Sequence, residues 1–300
     1  MEERPLILVT GANGQLGQSF RFCAPAFKDV DMVFLDRSQL DISNAKHCRK
    51  TLEHWMPDIV INCAAYTNVE KAEDEPEAAM MQNGTAPAFL AVACALTGAH
   101  LIHFSTDYVF DGNQSTAYVE SDAVAPISAY GSSKLSGERG VISSGCEHWI
   151  FRVAWLYSPF AHNFYKTMLR FGKDRPELKV VADQWGAPTN AIVLANDILH
   201  VCCKWLFDDN WDMPTGIYHY AHSGKTTWHG FASEIIMKSG LSTPVVPVTS
   251  ADFPTKARRP MFSLLDASLF FEKSGCASID WKTALDRCIQ THHDIDNLRQ

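Results

Sequence analysis

The stretch Leu6-Ile-Leu-Val-Thr10-Gly11-Ala-Asn-Gly14-Gln-Leu-Gly17 decides the fold. Its apolar first half predicts a buried strand, and the glycines that follow predict a tight turn that opens a helix near Gly14. Glycine lets such a turn adopt a positive φ and lets a pyrophosphate approach the backbone, while the helix N-terminus offers free N–H groups to the anion. The glycines could form only a turn, but the strand before and the helix after favour a dinucleotide site at Gly11 and Gly14.

Strand and helix signals alternate through the first half of the chain, which predicts a doubly wound parallel α/β sheet of the Rossmann type. Further strands are predicted at 32–35, 59–62, 101–104 and 149–154. After Trp155 prolines, tryptophans and short segments become more frequent, which indicates a smaller C-terminal substrate lobe. We predict a nucleotide-binding domain over 1–155 with a return segment around 186–220, and a substrate lobe over 156–185 and 221–300.

Bulk composition limits the kinds of partner. The chain has 300 residues and a net charge of −8 without a run of lysine or arginine, so we expect no nucleic acid partner. The apolar region 87–104 is interrupted by Thr97, Gly98 and His103, which predicts a buried helix and strand, so we expect no membrane partner. The start Met1-Glu-Glu-Arg-Pro5 predicts no signal peptide. Nine cysteines without a CxxC pair indicate reduced thiols, and together these features predict a cytoplasmic protein.

A second motif, Tyr130-Gly-Ser-Ser-Lys134, places a tyrosine and a lysine on one face of a predicted helix. There the ammonium can lower the pKa of the phenol, which is about 10 when unperturbed, and make it a proton donor. Thr106 ends an upstream strand at the sheet edge where ligands bind. We therefore predict an oxidoreductase that reduces a ketone: Tyr130 protonates the forming alkoxide, Thr106 bonds the same oxygen, and Lys134 acidifies the phenol and holds the nicotinamide ribose.

Asp36 and Arg37 follow the second predicted strand, about 20 residues after the glycines. A carboxylate at this position holds the ribose 2′-OH of NAD, whereas an arginine pairs with the 2′-phosphate of NADP. Both residue types are present, so the preference stays open between the two cofactors, and a solvated pair at a strand end is a third reading. We predict NADPH as the cofactor, with NADH as an alternative.

Over nearly its whole length the chain resembles the dTDP-4-dehydrorhamnose reductases, a family of extended short-chain dehydrogenase/reductases. The matching segments, in this order, are GANGQLG at Gly11, LDRSQLDI at Leu35, NCAAYTNVEKAE at Asn62, STDYVFDG at Ser105, AYGSSKLSGE at Ala129, WLY at Trp155, NFYKTMLR at Asn163, VVADQWGAPT at Val180, GIYH at Gly216 and ARRP at Ala257. The resemblance implies reduction of dTDP-4-dehydro-L-rhamnose to dTDP-L-rhamnose, a dTDP-sugar step of polysaccharide precursor biosynthesis, and it carries over Thr106, Tyr130 and Lys134 as the catalytic residues.

The resemblance also implies which residues line the two halves of the site. Besides the residues named above, the cofactor set is Asn13, Gln15, Leu16, Asp41, Ile42, Ala64, Ala65, Tyr66 and Asn83. The substrate set is Thr106, Asp107, Tyr108, Trp155 and Asn163, with Arg258 and Arg259 as partners for the diphosphate, because guanidinium binds such oxygens bidentately. Some family members bind magnesium through glutamates at a dimer interface. Those positions have no match here, so we predict no metal, and a homodimer is one open alternative for the assembly.

Two departures from the family pattern leave the exact sugar open. Val153-Ala154 stands where the family has Thr-Ser, and Met261-Phe262-Ser263 stands where Asn-Ser is frequent. One alternative is therefore a reductase for a related dTDP-sugar, such as one that gives a dihydrostreptose-type product. Another is a non-catalytic NADP-binding subunit like the β subunit of methionine adenosyltransferase. Trp155 and the segment 183–189 favour the enzyme because they fit the reductase pattern on the substrate side.

Three further features are interpreted as structural. His103 lies in an apolar strand and is expected to be a hydrogen-bonded core histidine. Trp228 and Phe231 are expected to form the apolar start of a helix and not a ring-stacking platform. The acidic run that includes Glu70 and Asp74 is expected to form a solvated helix face.

Overall fold

The computed structural model describes residues 4–298. The strands are β1 (Leu6–Thr10), β2 (Asp31–Leu35), β3 (Ile59–Asn62), β4 (His100–Thr106), β5 (His148–Val153), β6 (Leu156–Tyr157), β7 (Leu178–Val181), β8 (Trp185–Gly186), β9 (Thr189–Asn190), β10 (Gly216–Tyr220), β11 (Thr226–Thr227) and β12 (Val245–Val248). The helices are α1 (Gln15–Cys23), α2 (Ala45–Trp55), α3 (Val69–Asp74), α4 (Pro76–Met80), α5 (Ala86–Thr97), α6 (Ala129–Ser143), α7 (Phe164–Asp174), α8 (Ala191–Phe207), α9 (Trp228–Lys238), α10 (Ser268–Ser274) and α11 (Trp281–Asn297).

Six parallel strands form the central sheet in the order β10-β5-β4-β3-β1-β2. Side chains along each strand alternate between its two faces, so both faces must be covered. Ile7 and Val9 pack into the core beneath α1 and α8, while Leu8 packs into the core beneath α2, α5 and α6. The doubly wound α/β fold predicted from the sequence is therefore confirmed.

The C-terminal part builds a separate core. α7, α9 and α11 pack around a group of buried aromatic and aliphatic side chains that includes Tyr157, Phe231 and Trp281. β7 and β12 pair in parallel beside them. Between these elements, α8 packs on α1 and β10 pairs with β5, so this segment returns to the main sheet. The division of the chain into domains at 155/156 and 220/221 stays a prediction.

The helical segment Pro76–Thr97 is long and apolar enough to span a membrane by length and composition. Half of an 18-residue stretch within this segment is buried in the fold, where α5 packs between α2 and α6. The buried helix and strand predicted over 87–104 are present as α5 and β4. The prediction that no signal peptide precedes β1 rests partly on residues 1–3, which lie outside the described range.

A π-helical turn, Met81–Thr85, interrupts this segment between α4 and α5 and contains Asn83. Such turns occur often at functional sites because they re-aim a side chain without ending the helix. Here the turn brings a buried amide group to the end of β3, near the site described next.

Candidate active site

Two adjoining cavities open at the carboxyl ends of β1, β3, β4 and β5. The first has a volume of about 420 Å³ and the second about 590 Å³. They share Gly14, Cys63, Ala64 and Ala65, so together they form one continuous cleft. The strand order reverses between β1 and β3, which is the switch point where ligands bind in open α/β sheets.

The glycine-rich turn packs tightly against the end of β3. Gly11 has φ +61°, and a β-carbon there would lie 2.6 Å from the backbone nitrogen of Ala64. A β-carbon on Gly17 would lie 2.5 Å from the carbonyl oxygen of Gly11. Gly14 donates its N–H to that same oxygen at 2.9 Å, and α1 begins directly after it. The turn after β1 therefore leaves the backbone N–H groups at the start of α1 open to a ligand.

Most of the predicted cofactor residues line this cleft. Those that line one or both cavities are Gly11, Asn13, Gly14, Gln15, Leu16, Asp36, Arg37, Asp41, Ile42, Ala64, Ala65, Tyr130 and Lys134. Tyr66 and Asn83 line neither of them. The amide of Asn83 accepts from the backbone nitrogen of Tyr66 at 2.8 Å, and donates to the backbone oxygen of Tyr66 at 2.9 Å and to Ser133 at 3.0 Å. Asn83 thus fixes the backbone after Ala65 to α6.

Asp36 and Arg37 lie together at the rim of the first cavity. The Asp36 carboxylate accepts hydrogen bonds from Ser38 at 2.6 and 2.9 Å and from Asn13 at 3.1 Å, and these bonds hold its pKa below the ordinary value. The side chain of Arg37 is exposed beside them. This end of the cleft therefore presents one engaged anion and one accessible cation to a ligand.

Thr106, Tyr130 and Lys134 all line the second cavity. Thr106 is the last residue of β4, and α6 starts just before Tyr130 with Ser128 as its N-cap, which accepts from Gly131 at 3.1 Å. A β-carbon on Gly131 would lie 2.2 Å from the carbonyl oxygen of Tyr108, so α6 packs directly on the backbone that follows β4. This close approach places Tyr130 beside Thr106.

The electrostatics of Tyr130 and Lys134 differ from the sequence prediction. The pKa of Tyr130 is raised to about 12 by burial and then by the charge of Asp107, while its hydrogen bond with Thr106 acts in the opposite direction. The Lys134 ammonium donates to the carbonyl oxygen of Phe104, and burial lowers the pKa of Lys134 to about 8. The prediction that the ammonium acidifies the phenol was wrong, because the ammonium is directed at a backbone oxygen.

Asp107 and Tyr108 complete the floor of the second cavity. Burial raises the pKa of Asp107 to about 6, although the nearby Ser263 hydroxyl and the hydrogen bond that Thr106 donates to Oδ1 at 3.0 Å lower it in part. Within residues 4–298, Oδ2 of Asp107 is buried without a hydrogen-bond partner. The ring of Tyr108 meets that of Tyr130 edge-on, with centroids 5.8 Å apart. A carboxyl group with an unused oxygen therefore lies next to the phenol.

Trp155 and Trp228 form an aromatic wall of the second cavity. Their rings stack with centroids 3.7 Å apart and planes at 13°, and Phe164 packs against Trp228 at 4.6 Å. Trp155 has φ +47°, a conformation that side-chain-bearing residues rarely adopt. α9 begins at Trp228 as predicted, and its indole covers that of Trp155.

Asn163 lines the second cavity but its amide is already engaged. It caps α7 by accepting from Lys166 at 3.1 Å, and it donates to the backbone oxygens of Ser158 at 2.8 Å and Phe160 at 3.0 Å. Its side chain therefore shapes the loop that borders the cavity.

The two predicted diphosphate partners differ in position. Arg259 lines the second cavity, donates to Glu70 at 2.8 Å, and has a buried Nε without a partner within residues 4–298. Arg258 is exposed and lines neither cavity. The acidic face of α3 is largely solvent-exposed, as predicted. Its Glu70 also binds Arg259 and its Asp74 binds Lys256, so this face holds the 256–259 segment against α3.

His103 is buried in β4, and its Nδ1 lies 3.1 Å from the side-chain nitrogen of Asn62, as predicted for a core histidine. No cluster of three or more potential metal ligands occurs among residues 4–298.

Sequence reasoning missed several residues that line the cleft: Ser38, Leu40, Asn62, Cys63, Thr67, Val69, Gln82, Phe104, Ser105, Val153, Leu156, Ala161, His162, Phe164 and Trp228. Position at a strand end could have identified Asn62 and Cys63 at the end of β3 and Val153 at the end of β5.

The chain is similar in sequence and in fold to known proteins. The family model described as the RmlD substrate binding domain matches residues 5–293. A dTDP-4-dehydrorhamnose reductase of Burkholderia thailandensis is 38% identical over 294 residues, covering 95% of this chain and 98% of that protein. A reductase of the same name from Clostridium acetobutylicum is 38% identical with a TM-score of 0.88, covering 95% of this chain and 99% of that chain. One from Bacillus anthracis, solved in complex with NADP, is 35% identical with a TM-score of 0.89, covering 96% and 100%.

Proposed function

The chain belongs to the dTDP-4-dehydrorhamnose reductase family, and from this premise we propose that it reduces the 4-keto group of dTDP-4-dehydro-L-rhamnose to dTDP-L-rhamnose with NADPH. The observation that carries the proposal is the meeting of Thr106, Tyr130 and Lys134 in a cavity continuous with the glycine-rich turn. A ketone in that cavity can reach a hydroxyl donor and a bound nicotinamide at the same time.

The first cavity fits the adenosine end of a dinucleotide. Gly11 and Gly14 leave room where β-carbons would crowd the turn, and the start of α1 offers N–H groups to a pyrophosphate. The exposed Arg37 is suited to a ribose 2′-phosphate, which supports NADPH over NADH. Bound NADPH supplies a hydride to the carbonyl carbon of the sugar.

Tyr130 is the proposed proton donor to the alkoxide. Its raised pKa means that the phenol carries its proton at neutral pH. Thr106 lies beside it, and the threonine hydroxyl can hydrogen-bond the same substrate oxygen. Lys134 is held by the Phe104 carbonyl at the edge of the cavity, where its ammonium can hold the hydroxyls of the nicotinamide ribose.

The second cavity also has features for a dTDP-linked sugar. The wall of Trp155 and Trp228 offers an apolar surface to a 6-deoxy sugar, and the unpartnered Nε of Arg259 offers a donor to a diphosphate oxygen. The free oxygen of Asp107 can accept from a sugar hydroxyl. The proposal includes a cytoplasmic location, which the nine free cysteines support, and keeps a homodimer open.

The proposal is tested by incubating the protein with dTDP-4-dehydro-L-rhamnose and NADPH and following loss of NADPH absorbance. The expected result is stoichiometric NADPH oxidation that depends on the sugar. Turnover only with another dTDP-4-keto sugar would instead favour a reductase for a related product. Tight NADP binding without turnover, together with copurification of a large partner enzyme, would favour the regulatory-subunit alternative.

A further inference from the structure

A buried ion pair lies behind the cleft and takes no part in the proposed proton transfer. Arg152 on β5 donates to both carboxylate oxygens of Glu138 on α6, at 3.0 and 2.8 Å. The side chains of Glu138 and Arg152 are 1% and 3% exposed. The hydroxyl of Ser105 also donates to the Glu138 carboxylate. Glu138 is therefore a fully engaged anion inside the protein.

Stability alone does not account for this pair. Burial of two charges costs several kcal/mol per ion, and well-packed apolar side chains of similar volume often give equal or greater stability. The position of the pair is more informative. Glu138 lies one helical turn after Lys134, Ser105 directly precedes Thr106, and Arg152 lies shortly before Trp155. One carboxylate thus joins the three segments that carry the residues of the second cavity.

The charges around Lys134 single out Glu138. Its carboxylate is the anion that favours the charged form of Lys134 against the effect of burial. His103 on β4 is buried and neutral, because burial and then the charge of Lys134 hold its pKa well below the ordinary value. Arg152 on β5 is paired with Glu138, and the charge of Asp107 acts on Tyr130.

We propose that Glu138 is a positioning residue for the reduction, whose buried carboxylate keeps Lys134 cationic while it holds the ends of β4 and β5 in register with α6. This inference rests on the proposed function for its kinetic consequence. The effect of Glu138 on the protonation of Lys134 does not depend on that function and is measurable through cofactor binding. Without the carboxylate, the buried ammonium loses its stabilising anion and gives up its proton at lower pH.

The test compares wild type with Glu138→Gln, using Arg139→Gln as a control for the loss of a charged side chain on the same helix. Arg139 is exposed on the same helix, and its replacement by Gln removes one charge without touching the Glu138–Arg152 pair. The dissociation constant for NADPH is measured across pH by fluorescence, and kcat is measured over the same range. Wild type is expected to bind NADPH more weakly above a midpoint near 8. In Glu138→Gln this midpoint and the basic limb of kcat are expected to move down by about one unit, and in Arg139→Gln they stay in place.

Coincident midpoints in Glu138→Gln and wild type would overturn the inference and leave the reductase function intact. No turnover in wild type, together with a shifted binding midpoint, would reject the reductase function and retain the electrostatic role. A lower melting temperature with unchanged midpoints would make Glu138 merely structural and also overturn the inference. If Glu138→Gln fails to fold, Glu138→Gln combined with Arg152→Met removes the Arg152 guanidinium that would otherwise be buried without its partner, and the same downward shift is expected there.

Discussion

Trp228 stacks on Trp155 at a centroid distance of 3.7 Å, and this contact holds a tryptophan whose backbone has φ +47°. A β-carbon on Gly186 would lie 2.9 Å from the ring of Trp155, so the indole is also confined by the backbone of β8. A left-handed conformation at a bulky residue persists only where its surroundings enforce it. The conformation of Trp155 is therefore held by contacts on its ring, one of which comes from the C-terminal lobe.

Replacement of Trp228 by Ala is expected to raise KM for the sugar by about two- to tenfold, because an aromatic pair contributes about 0.5–1.5 kcal/mol beyond its buried area. Trp228→Phe should recover part of the loss. Loss of the stacked indole pair should also weaken the exciton signal in the circular dichroism spectrum. Trp55→Ala removes an exposed indole on α2 and serves as the control. An unchanged KM in Trp228→Ala would show that the stack does not shape the sugar site.

Replacement of Tyr130 by Phe removes the proton donor and keeps the ring. Turnover is expected to fall by about 10²–10⁴-fold, the usual contribution of a positioned acid, while the dissociation constant for NADPH changes little. Tyr165→Phe is the matched control, because the Tyr165 hydroxyl lies 3.0 Å from His292 in the C-terminal core, outside both cavities. Turnover of Tyr130→Phe close to that of the control would assign the proton to another group.

Replacement of Arg37 by Asp tests the cofactor preference. An anion in place of an accessible cation should repel the 2′-phosphate, so KM for NADPH is expected to rise by about tenfold with little change for NADH. Lys50→Asp makes the same change of net charge on the exposed side of α2 and should leave both constants unchanged. Equal effects of Arg37→Asp on the two cofactors would remove Arg37 from the 2′-phosphate site.

Replacement of Asp107 by Asn should alter how stability depends on pH. The folded pKa of Asp107 is raised to about 6, whereas an unfolded aspartate has a pKa of about 3.9. The folded protein therefore holds this proton more tightly, and the stabilisation present below pH 4 is lost as pH rises through 6. Between those limits, Asp107→Asn should gain up to about 3 kcal/mol of unfolding free energy relative to wild type.

Urea unfolding at a series of pH values measures this difference. The exposed Asp29→Asn is the control and should run parallel to wild type across the range. A constant difference between Asp107→Asn and wild type from pH 4 to 7 would contradict the buried, raised carboxyl group.

The sheet could be predicted because its signals are local. Apolar runs of strand length mark β1 and β3, and the glycines after β1 mark the turn, since only glycine fits at Gly11 with φ +61° and Ala64 so near. The strand that carries Thr106 was also predictable, and so was its position at the carboxyl edge where ligands bind.

The far wall of the site could not be predicted in the same way. Trp155 and Trp228 are distant in sequence, and the apolar pattern at Trp228 is that of an ordinary helix start. The acidic residues on α3 match a solvated face equally well, because their partners Lys256 and Arg259 come from a loop far along the chain. These contacts exist only once the C-terminal lobe packs over the sheet.

The pair Tyr130 and Lys134 marks a different limit. Their spacing establishes a shared helix face, which the structure has, but it does not say where the ammonium points. The carbonyl of Phe104 on the neighbouring strand decides that, while burial, and after it the charge of Asp107, raises the pKa of the phenol. The protonation states of Tyr130 and Lys134 therefore depend on tertiary packing, which the spacing of the two residues in the sequence does not predict.

The most direct measurement is NMR analysis of the sugar formed from dTDP-4-dehydro-L-rhamnose with NADPH deuterated at the transferable position. Wild type is expected to form dTDP-L-rhamnose with deuterium at C4. In the same time, Tyr130→Phe is expected to form at most about one hundredth of that amount. Deuterium at another carbon or a different epimer of the sugar would contradict hydride delivery to C4. Equal amounts of labelled product from the two proteins in equal time would contradict proton transfer from Tyr130.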